Sequence, residues 1–187
     1  PFISVRSGIT SAEWNIIWHI RMPRVVLAAL VGAMLSVAGA GYQGVFRNPL
    51  VDPYLLGVAA GAGLGATVVL SLNRAGTLHW IVDPLPLAAF CGALVAVFVT
   101  YVVGTSFGAG RSATTLVLAG VAVTSLATAI QAFVLQRHND VVRQVYSWIL
   151  GRLSTATWAD VRLILPYVLF TSFLLLLHRR LLDLMRV

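Results

Sequence analysis

Apolar residues fall into five long runs that contain no charged side chain. The runs cover residues 25–46, 54–73, 85–110, 112–136 and 163–178. About 20 apolar residues let a helix cross a bilayer, and the last run reaches that length when residues 158–161 extend it, with Trp158 as an interfacial anchor. We therefore predict an all-α, polytopic transmembrane bundle of about five helices, with spans at about 24–46, 54–73, 85–107, 113–136 and 158–178.

Two X-Pro steps, Asn48-Pro49 and Asp52-Pro53, separate the first two runs. A residue before proline disfavours helical backbone, so one helix does not pass through both steps. Each step also fits an N-cap followed by proline at the first helical position. Two interpretations stay open: a tight turn between two helices, or a break inside the membrane that lines a pathway.

The longest connection between runs predicts a short surface helix at about 140–150. Val141, Val145 and Trp148 fall on one helical face, and polar residues fall on the other. Such an amphipathic segment is typical of a helix that lies at the membrane surface. Residues 11–20 show a similar pattern, with two tryptophans four positions apart, and favour a second interfacial helix.

Small residues recur at every fourth position inside the runs, a spacing that lets helix backbones approach closely in lipid. We therefore expect tight packing among the predicted spans. The four stripes are Gly32, Ser36, Ala40 and Gly44; Gly57, Gly61 and Gly65; Ala88, Gly92 and Ala96; and Gly120, Thr124, Thr128 and Ala132.

Composition agrees with a membrane protein and disfavours other classes. Hydrophobic residues make up 59% of the 187 residues and charged residues 10%, against about 25% charged in soluble domains. The net charge is +7, and all 13 basic residues are arginine. These arginines flank apolar runs and form no basic stripe, so nucleic acid is not an expected partner. The single Cys91 excludes a disulfide within the chain.

No constellation of residues predicts catalysis. The acidic residues and the four histidines lie in loops or at the ends of runs, and no histidine pair has metal-ligand spacing. Glycines 57–65 lack the Lys-Ser/Thr of a phosphate-binding loop. We expect no metal site and no catalytic residue. An intramembrane enzyme is disfavoured, because the runs contain no acid and no arginine.

Five strings stand in one order along the chain. They read R-M-P-R at 21–24, G-Y-Q-G at 41–44, R-N-P-L-V-D-P-Y-L-L-G at 47–57, L-V-L-A-G-V-A at 116–122 and W-I-L-G-R-L-S at 148–154. Together they closely resemble the FecCD family, the permease subunits of ABC importers for iron-siderophores, haem and cobalamin. Arg152 departs from the small residue that this family usually has there.

The resemblance implies part of the ten-helix, BtuC-like permease fold of this family. Residues 1–187 would form a partial transmembrane domain that begins after the first helix and stops after the sixth. The protein would then be a multi-pass permease of the bacterial cell membrane and not an enzyme. A non-transporting membrane scaffold, or an orphan permease fragment, is the alternative function.

The resemblance also assigns roles to particular residues. Docking of an extracytoplasmic binding protein falls to Arg21 and Arg24. The translocation path falls to Ala119, Gly120, Thr124 and Thr128, and the surface helix beside the external gate holds Val145, Trp148 and Gly151. A structural motif comprises Gln43, Asn48, Pro49, Asp52, Pro53, Gly57 and Gly61.

The partners implied by the resemblance are two ABC ATPase subunits, an extracytoplasmic substrate-binding protein, a second permease copy and the lipid bilayer. The chain itself binds no cofactor, and the ATPase uses ATP-Mg.

Alternate loops place eight arginines on the face that holds the N-terminus and five on the other. This count alone favours a cytoplasmic N-terminus, whereas the resemblance implies an extracytoplasmic one.

Overall fold

The computed structural model describes residues 10–49, 51–72, 84–106, 113–151 and 153–177, which contain helices and no strand. The helices are α1 (Ser11–Asn15), α2 (Met22–Phe46), α3 (Val58–Leu72), α4 (Pro84–Ser106), α5 (Ala113–Arg137), α6 (Val142–Ile149) and α7 (Trp158–Leu177). A π-helical segment, Ile16–Arg21, joins α1 to α2, and 3-10 turns cover Pro53–Leu56 and Leu153–Thr155. The all-α prediction is confirmed.

The chain divides into two compact units. Unit 1 combines Pro1–Pro49 with Arg152–Val187, and unit 2 is Leu50–Gly151. Unit 1 therefore contains α1, α2 and α7, and unit 2 contains α3 to α6. Each unit is described by itself below.

In unit 1, α1, the π-helical segment and α2 form one continuous helix from Ser11 to Phe46. Thr10 caps its start: the Glu13 N–H donates to Thr10 Oγ1, and the Thr10 N–H donates to Glu13 Oε2 at 2.8 Å. The expected interfacial helix at 11–20 is therefore not separate from the first span. At the other end, Arg47 adopts a left-handed conformation with φ of 50° and ends the helix.

Helices α2 and α7 of unit 1 pack side by side through a small apolar cluster. Leu27 of α2 is buried against Ala156 and Val161, near the start of α7. Farther along, Leu30 and Ile164 flank the same cluster. Residue numbers rise together along this contact, so the two helices run parallel, as alternating membrane crossings would require.

In unit 2, α3 and α4 approach each other through their small residues. A Cβ atom added to Gly61 would collide with the Gly92 carbonyl and lie 2.5 Å from Ala96 Cβ. A Cβ on Gly65 would lie 2.9 Å from the carbonyl carbon of Ala88. The numbering runs in opposite directions, so this pair is antiparallel. Tight packing through these two stripes is confirmed.

The stripe in the first run behaves differently. Beyond its own helix, no atom of the described residues lies within 4 Å of a Cβ added at Gly32 or Gly44. Ser36 is exposed and donates its hydroxyl to the Gly32 carbonyl within the same helix. Within the described part of unit 1, this stripe therefore has no close helix partner.

The second helix is shorter than its apolar run. We predicted a span at 54–73, but α3 begins at Val58, because Gly57 has a φ of 79° that no right-handed helix accommodates. Asn48 was expected to cap a helix, yet Pro49, Val51 and Asp52 after it are not helical. Asp52 does cap the 3-10 turn, accepting the Tyr54 N–H at 2.7 Å.

Four helical stretches are long and apolar enough to cross a membrane, and α3 is a shorter apolar helix. The four are Ser11–Phe46, Pro84–Ser106, Thr114–Arg137 and Trp158–Leu177. The ends of three predicted spans, residues 73, 107 and 178, lie outside the described residues.

Candidate functional site

The two candidate docking arginines lie at the junction where the π-helical segment passes into α2. Arg21 is the last π-helical residue and Arg24 lies in the first turn of α2, and both are exposed. Pro23, between them, is fully buried. A buried proline flanked by two exposed guanidinium groups leaves both charges free to meet an acidic surface.

Three tryptophans surround the start of this long helix. The rings of Trp14 and Trp18 stack with centroids 6.0 Å apart, and the Trp18 ring lies 5.3 Å from that of Trp158. Tryptophan is enriched where a membrane meets water, so the cluster marks this end of unit 1 as an interface. The sequence suggested each tryptophan as interfacial but gave no sign of the contact with Trp158, which is remote along the chain.

The sequence analysis placed the starts of α1 and α7 but missed the caps that fix them. The Thr157 N–H donates to Asp160 Oδ2 at 2.8 Å at the beginning of α7, as Thr10 does with Glu13. Both sites read Thr-x-x-acid, the sequence signature of a capping box. That signature was available in the printed sequence and would have identified both caps.

The four candidate path residues on α5 do not share one environment. Ala119 and Gly120 are buried, Thr124 is half-buried and Thr128 is exposed. A Cβ on Gly120 would collide with the Leu55 carbonyl. Steps of four residues rotate the position by about 40° around an α-helix, so the stripe spirals from a packed face to a free one.

The free face of α5 carries small and hydroxyl side chains among large apolar ones such as Leu118, Val121 and Leu126. Ser125 is exposed and donates its hydroxyl to the Val121 carbonyl at 2.9 Å within the helix. Within unit 2, this face points away from α3 and α4. Its exposed small residues are Ala122, Ser125, Thr128, Ala129 and Ala132.

The non-helical segment before α3 is packed inside unit 2. Val51 and Leu56 are buried, and the Leu56 carbonyl accepts the Thr100 hydroxyl at 3.1 Å. Thr100 is itself almost fully buried, so the bond replaces a helical partner that the turn at Gly57 removes. Irregular backbone survives in a membrane protein only where such partners or water satisfy it. This geometry favours a break within the bundle over a simple surface turn.

The remaining motif residues lie at the ends of this connection. The Gln43 carbonyl accepts the N–H groups of Arg47 and Asn48, which closes the C-terminus of α2. Pro49 is exposed, whereas Pro53 occupies the first position of the 3-10 turn. In unit 2, a Cβ on Gly57 would lie 3.4 Å from Thr124 Oγ1.

The predicted surface helix is present as α6, Val142–Ile149. Val145 is completely buried against Leu135 and Val141 and fixes one face of the helix in unit 2. Trp148 is half-buried, and its carbonyl accepts the Gly151 N–H at 3.1 Å. Gly151 is exposed with a φ of 84°, which suits its position after the C-terminal turn of α6.

The described part of the chain contains no group of three or more His, Cys, Asp or Glu side chains arranged to hold a metal ion. What the geometry offers is closely packed apolar helices, an irregular turn with a buried hydrogen bond and an arginine pair beside an aromatic cluster. These features define a multi-pass membrane protein of the permease class.

The chain belongs to the FecCD transport family, whose family model matches residues 2–187. This family comprises transport permeases and not enzymes, so the resemblance drawn from the motifs is confirmed. The family assignment also agrees with the apolar helices of the fold.

Named relatives of this chain are import-system permeases. It is 39% identical over 173 residues to the cobalamin import system permease protein BtuC of Halobacterium salinarum, a match covering 92% of this chain and 45% of that protein. It is 35% identical over 184 residues to the hemin transport system permease protein HmuU of Yersinia pestis, covering 97% and 54% respectively. The chain thus spans about half the length of these curated relatives.

A solved structure supports the fold. A metal-chelate type ABC transporter in an inward-facing conformation matches with a TM-score of 0.76 and 24% sequence identity. The match covers 96% of this chain and 55% of the solved chain. At this identity the likeness establishes the fold alone.

Proposed function

We propose that the chain forms part of the permease of an ABC importer that takes up iron-siderophore, haem or cobalamin-type chelates. The observation that carries this proposal is the family match over residues 2–187. The relatives named for cobalamin and hemin import support this class of substrate. Residues 1–187 would act as one part of a larger transmembrane domain.

The translocation path, in this proposal, runs along the free face of α5. Its exposed alanine, serine and threonine side chains are small and weakly polar. A bulky chelate needs a wide, weakly binding surface, because a path with strong binding sites would retain it. Gly120 then supports the path by packing against the Leu55–Leu56 turn. Ala119 is buried beside it, and Thr124 and Thr128 lie progressively closer to the path.

Arg21 and Arg24 are proposed to dock the extracytoplasmic binding protein. Both guanidinium groups are exposed beside the tryptophan cluster. Opposite charges across an interface raise the association rate and fix the orientation of the partners. The helix α6, with Val145, Trp148 and Gly151, would lie beside the external gate of the path.

Two further partners complete the proposed importer. A second permease copy would enclose the path from the other side, and ABC ATPase subunits would supply energy from ATP-Mg. No cofactor would bind to this chain itself. The assembly would lie in the cell membrane with Arg21 on the extracytoplasmic side.

The test uses the full-length permease with its ATPase in proteoliposomes, together with the soluble binding protein encoded with it. Uptake of cyanocobalamin, haemin and a ferric hydroxamate is measured in parallel. We expect ATP-dependent uptake of one of them, and loss of most of that uptake in the double variant Arg21→Glu, Arg24→Glu. The control is the same kind of change, Arg47→Glu, at the opposite end of α2.

The outcomes separate the functions clearly. ATP-dependent uptake that the arginine variant reduces and the control does not supports both import and docking. Uptake that is unchanged in the arginine variant contradicts the docking role. An assembly that binds no ATPase and takes up none of the three chelates contradicts the importer and supports a scaffold.

A further inference from the structure

Pro23 removes a backbone N–H donor where the π-helical segment passes into α2. In the π-helical segment the Met22 N–H donates to the carbonyl of Ile17, five residues earlier. In the same pattern, the N–H of residue 23 would donate to the Trp18 carbonyl. Proline has no N–H, and the alternative α-helical donor, Met22, is already used. The Trp18 carbonyl therefore needs a partner from outside its own helix.

Trp158 supplies that partner. Its indole Nε1 donates to the Trp18 carbonyl oxygen at 2.9 Å, across 140 positions of sequence. The two indole rings also touch, with centroids 5.3 Å apart and planes inclined by 41°. An indole has a single N–H donor, and here it is directed at a carbonyl that Pro23 deprives of a backbone donor.

We propose that Trp158 is a positioning residue for Arg21 and Arg24, holding the N-terminal part of the long helix onto the start of α7 through the Trp18 carbonyl. The inference rests on the docking role proposed above for the two arginines. Pro23 creates the vacant acceptor and Trp158 fills it, so the two residues act as a pair. The arginines lie on either side of Pro23, so the direction that this contact gives the helix also sets where the arginines lie.

The proposal predicts a specific dependence between two positions. In Trp158→Phe the ring contact persists but the donor is lost, and the helix start is released from α7. In Pro23→Ala, residue 23 regains an N–H that can donate to the Trp18 carbonyl. Removing the Trp158 donor should then have a much smaller effect on the position of the helix start. Pro23→Ala is therefore expected to rescue Trp158→Phe.

The first measurement reads the contact itself and needs no binding protein. Nitroxides are attached at two exposed positions, through Asn15→Cys and Ala159→Cys. The sample is the full-length permease in lipid nanodiscs, with every other cysteine, including Cys91, replaced by serine. Pulsed EPR gives the distance distribution between them. We expect a narrow distribution, a clearly broader one in Trp158→Phe, and a narrow one again when Pro23→Ala is added. Trp14→Phe, which removes a stacked indole without this hydrogen bond, is the control.

The second measurement is the affinity of the same samples for the soluble binding protein encoded with the permease. We expect Trp158→Phe to weaken binding about five- to tenfold, the amount typical of one lost hydrogen bond, and the double variant with Pro23→Ala to restore it. An unchanged distance distribution in Trp158→Phe, or a broadening that Pro23→Ala does not reverse, overturns the proposed contact.

The two proposals fail in different ways. If Arg21→Glu with Arg24→Glu leaves binding unchanged while the distance experiment behaves as expected, the docking role is wrong and the contact is merely structural. If the arginine variant abolishes binding but Trp158→Phe leaves it intact despite a broadened distribution, docking stands and the positioning role is overturned.

Discussion

The two units of this chain use small residues in opposite ways. In unit 2, Gly61 of α3 sits against the backbone of Gly92, and Gly120 of α5 sits against Leu55, at distances that exclude any Cβ atom. In unit 1, Gly32, Gly39 and Gly41 have open space where a Cβ would lie. α2 nevertheless carries four glycines in 25 residues, and α3 carries three in 15. A stripe of small residues therefore permits close packing, and the partner helix decides whether it occurs.

The difference also appears in how each unit satisfies its backbone. In unit 2, the Thr100 hydroxyl donates to the Leu56 carbonyl of the irregular turn. Unit 1 meets the carbonyl freed by Pro23 with an indole near the surface. Buried polar groups in lipid must find a partner, and in each unit a side chain remote along the chain supplies it.

The largest effect is expected at Gly120. In Gly120→Val the new side chain would collide with the Leu55 carbonyl, and the backbones of α5 and the turn would have to separate. We expect a loss of about 3 kcal/mol or more of stability, since backbone atoms cannot repack as side chains do. Thermal unfolding of the full-length permease in detergent measures it. Gly32→Val, in open space, is the control, and equal losses in both variants would break the contrast between the units.

A smaller loss is expected from a single methyl group between α3 and α4. In Gly61→Ala the methyl would meet both the Gly92 carbonyl and Ala96. We expect a destabilisation of about 2 kcal/mol, with Gly39→Ala in unit 1 near zero. Chemical denaturation in mixed micelles gives both values. If Gly39→Ala proves equally costly, α2 packs closely against another element at this position in the folded protein.

The smallest effect should come from Thr100→Val, which keeps the shape but removes the hydroxyl that reaches Leu56. Leaving one buried carbonyl without its donor should cost about 1.5 kcal/mol. Thr105→Val is the matched control on the same helix, because its hydroxyl bonds only to carbonyls of its own helix, Tyr101 and Val102. Equal unfolding midpoints for the two variants would show that the turn is satisfied in another way.

Much of the fold was predictable because membrane helices leave a strong composition signal. Charge-free runs located α2, α4, α5 and α7, and amphipathic periodicity located α6. The cap at Asp52 also followed from local sequence, since it depends on the proline beside it. These features are set by neighbours along the chain and by the solvent.

Other features depend on contacts that no local pattern contains. The start of α3 at Val58 follows from the positive φ of Gly57, which the apolar run concealed. The candidate path residues on α5 were assigned by the resemblance to the family, yet Gly120 is buried and Thr128 exposed. The contact of Trp158 with Trp18 joins the two ends of the chain. The functional roles of the candidate path residues and of the arginine pair stay predictions.

The unbroken helix from Ser11 to Phe46 has a consequence for where its first residues lie. Its 36 residues make a rod about 54 Å long at 1.5 Å per residue, while the hydrocarbon layer is only about 30 Å thick. Tilting by about 40°, the upper end of the usual range, still leaves a rod about 41 Å tall. At least one end must therefore stand clear of the lipid tails, and the charged residues of the first turns mark the N-terminal end. A protein approaching from the water could then reach the arginines without entering the bilayer.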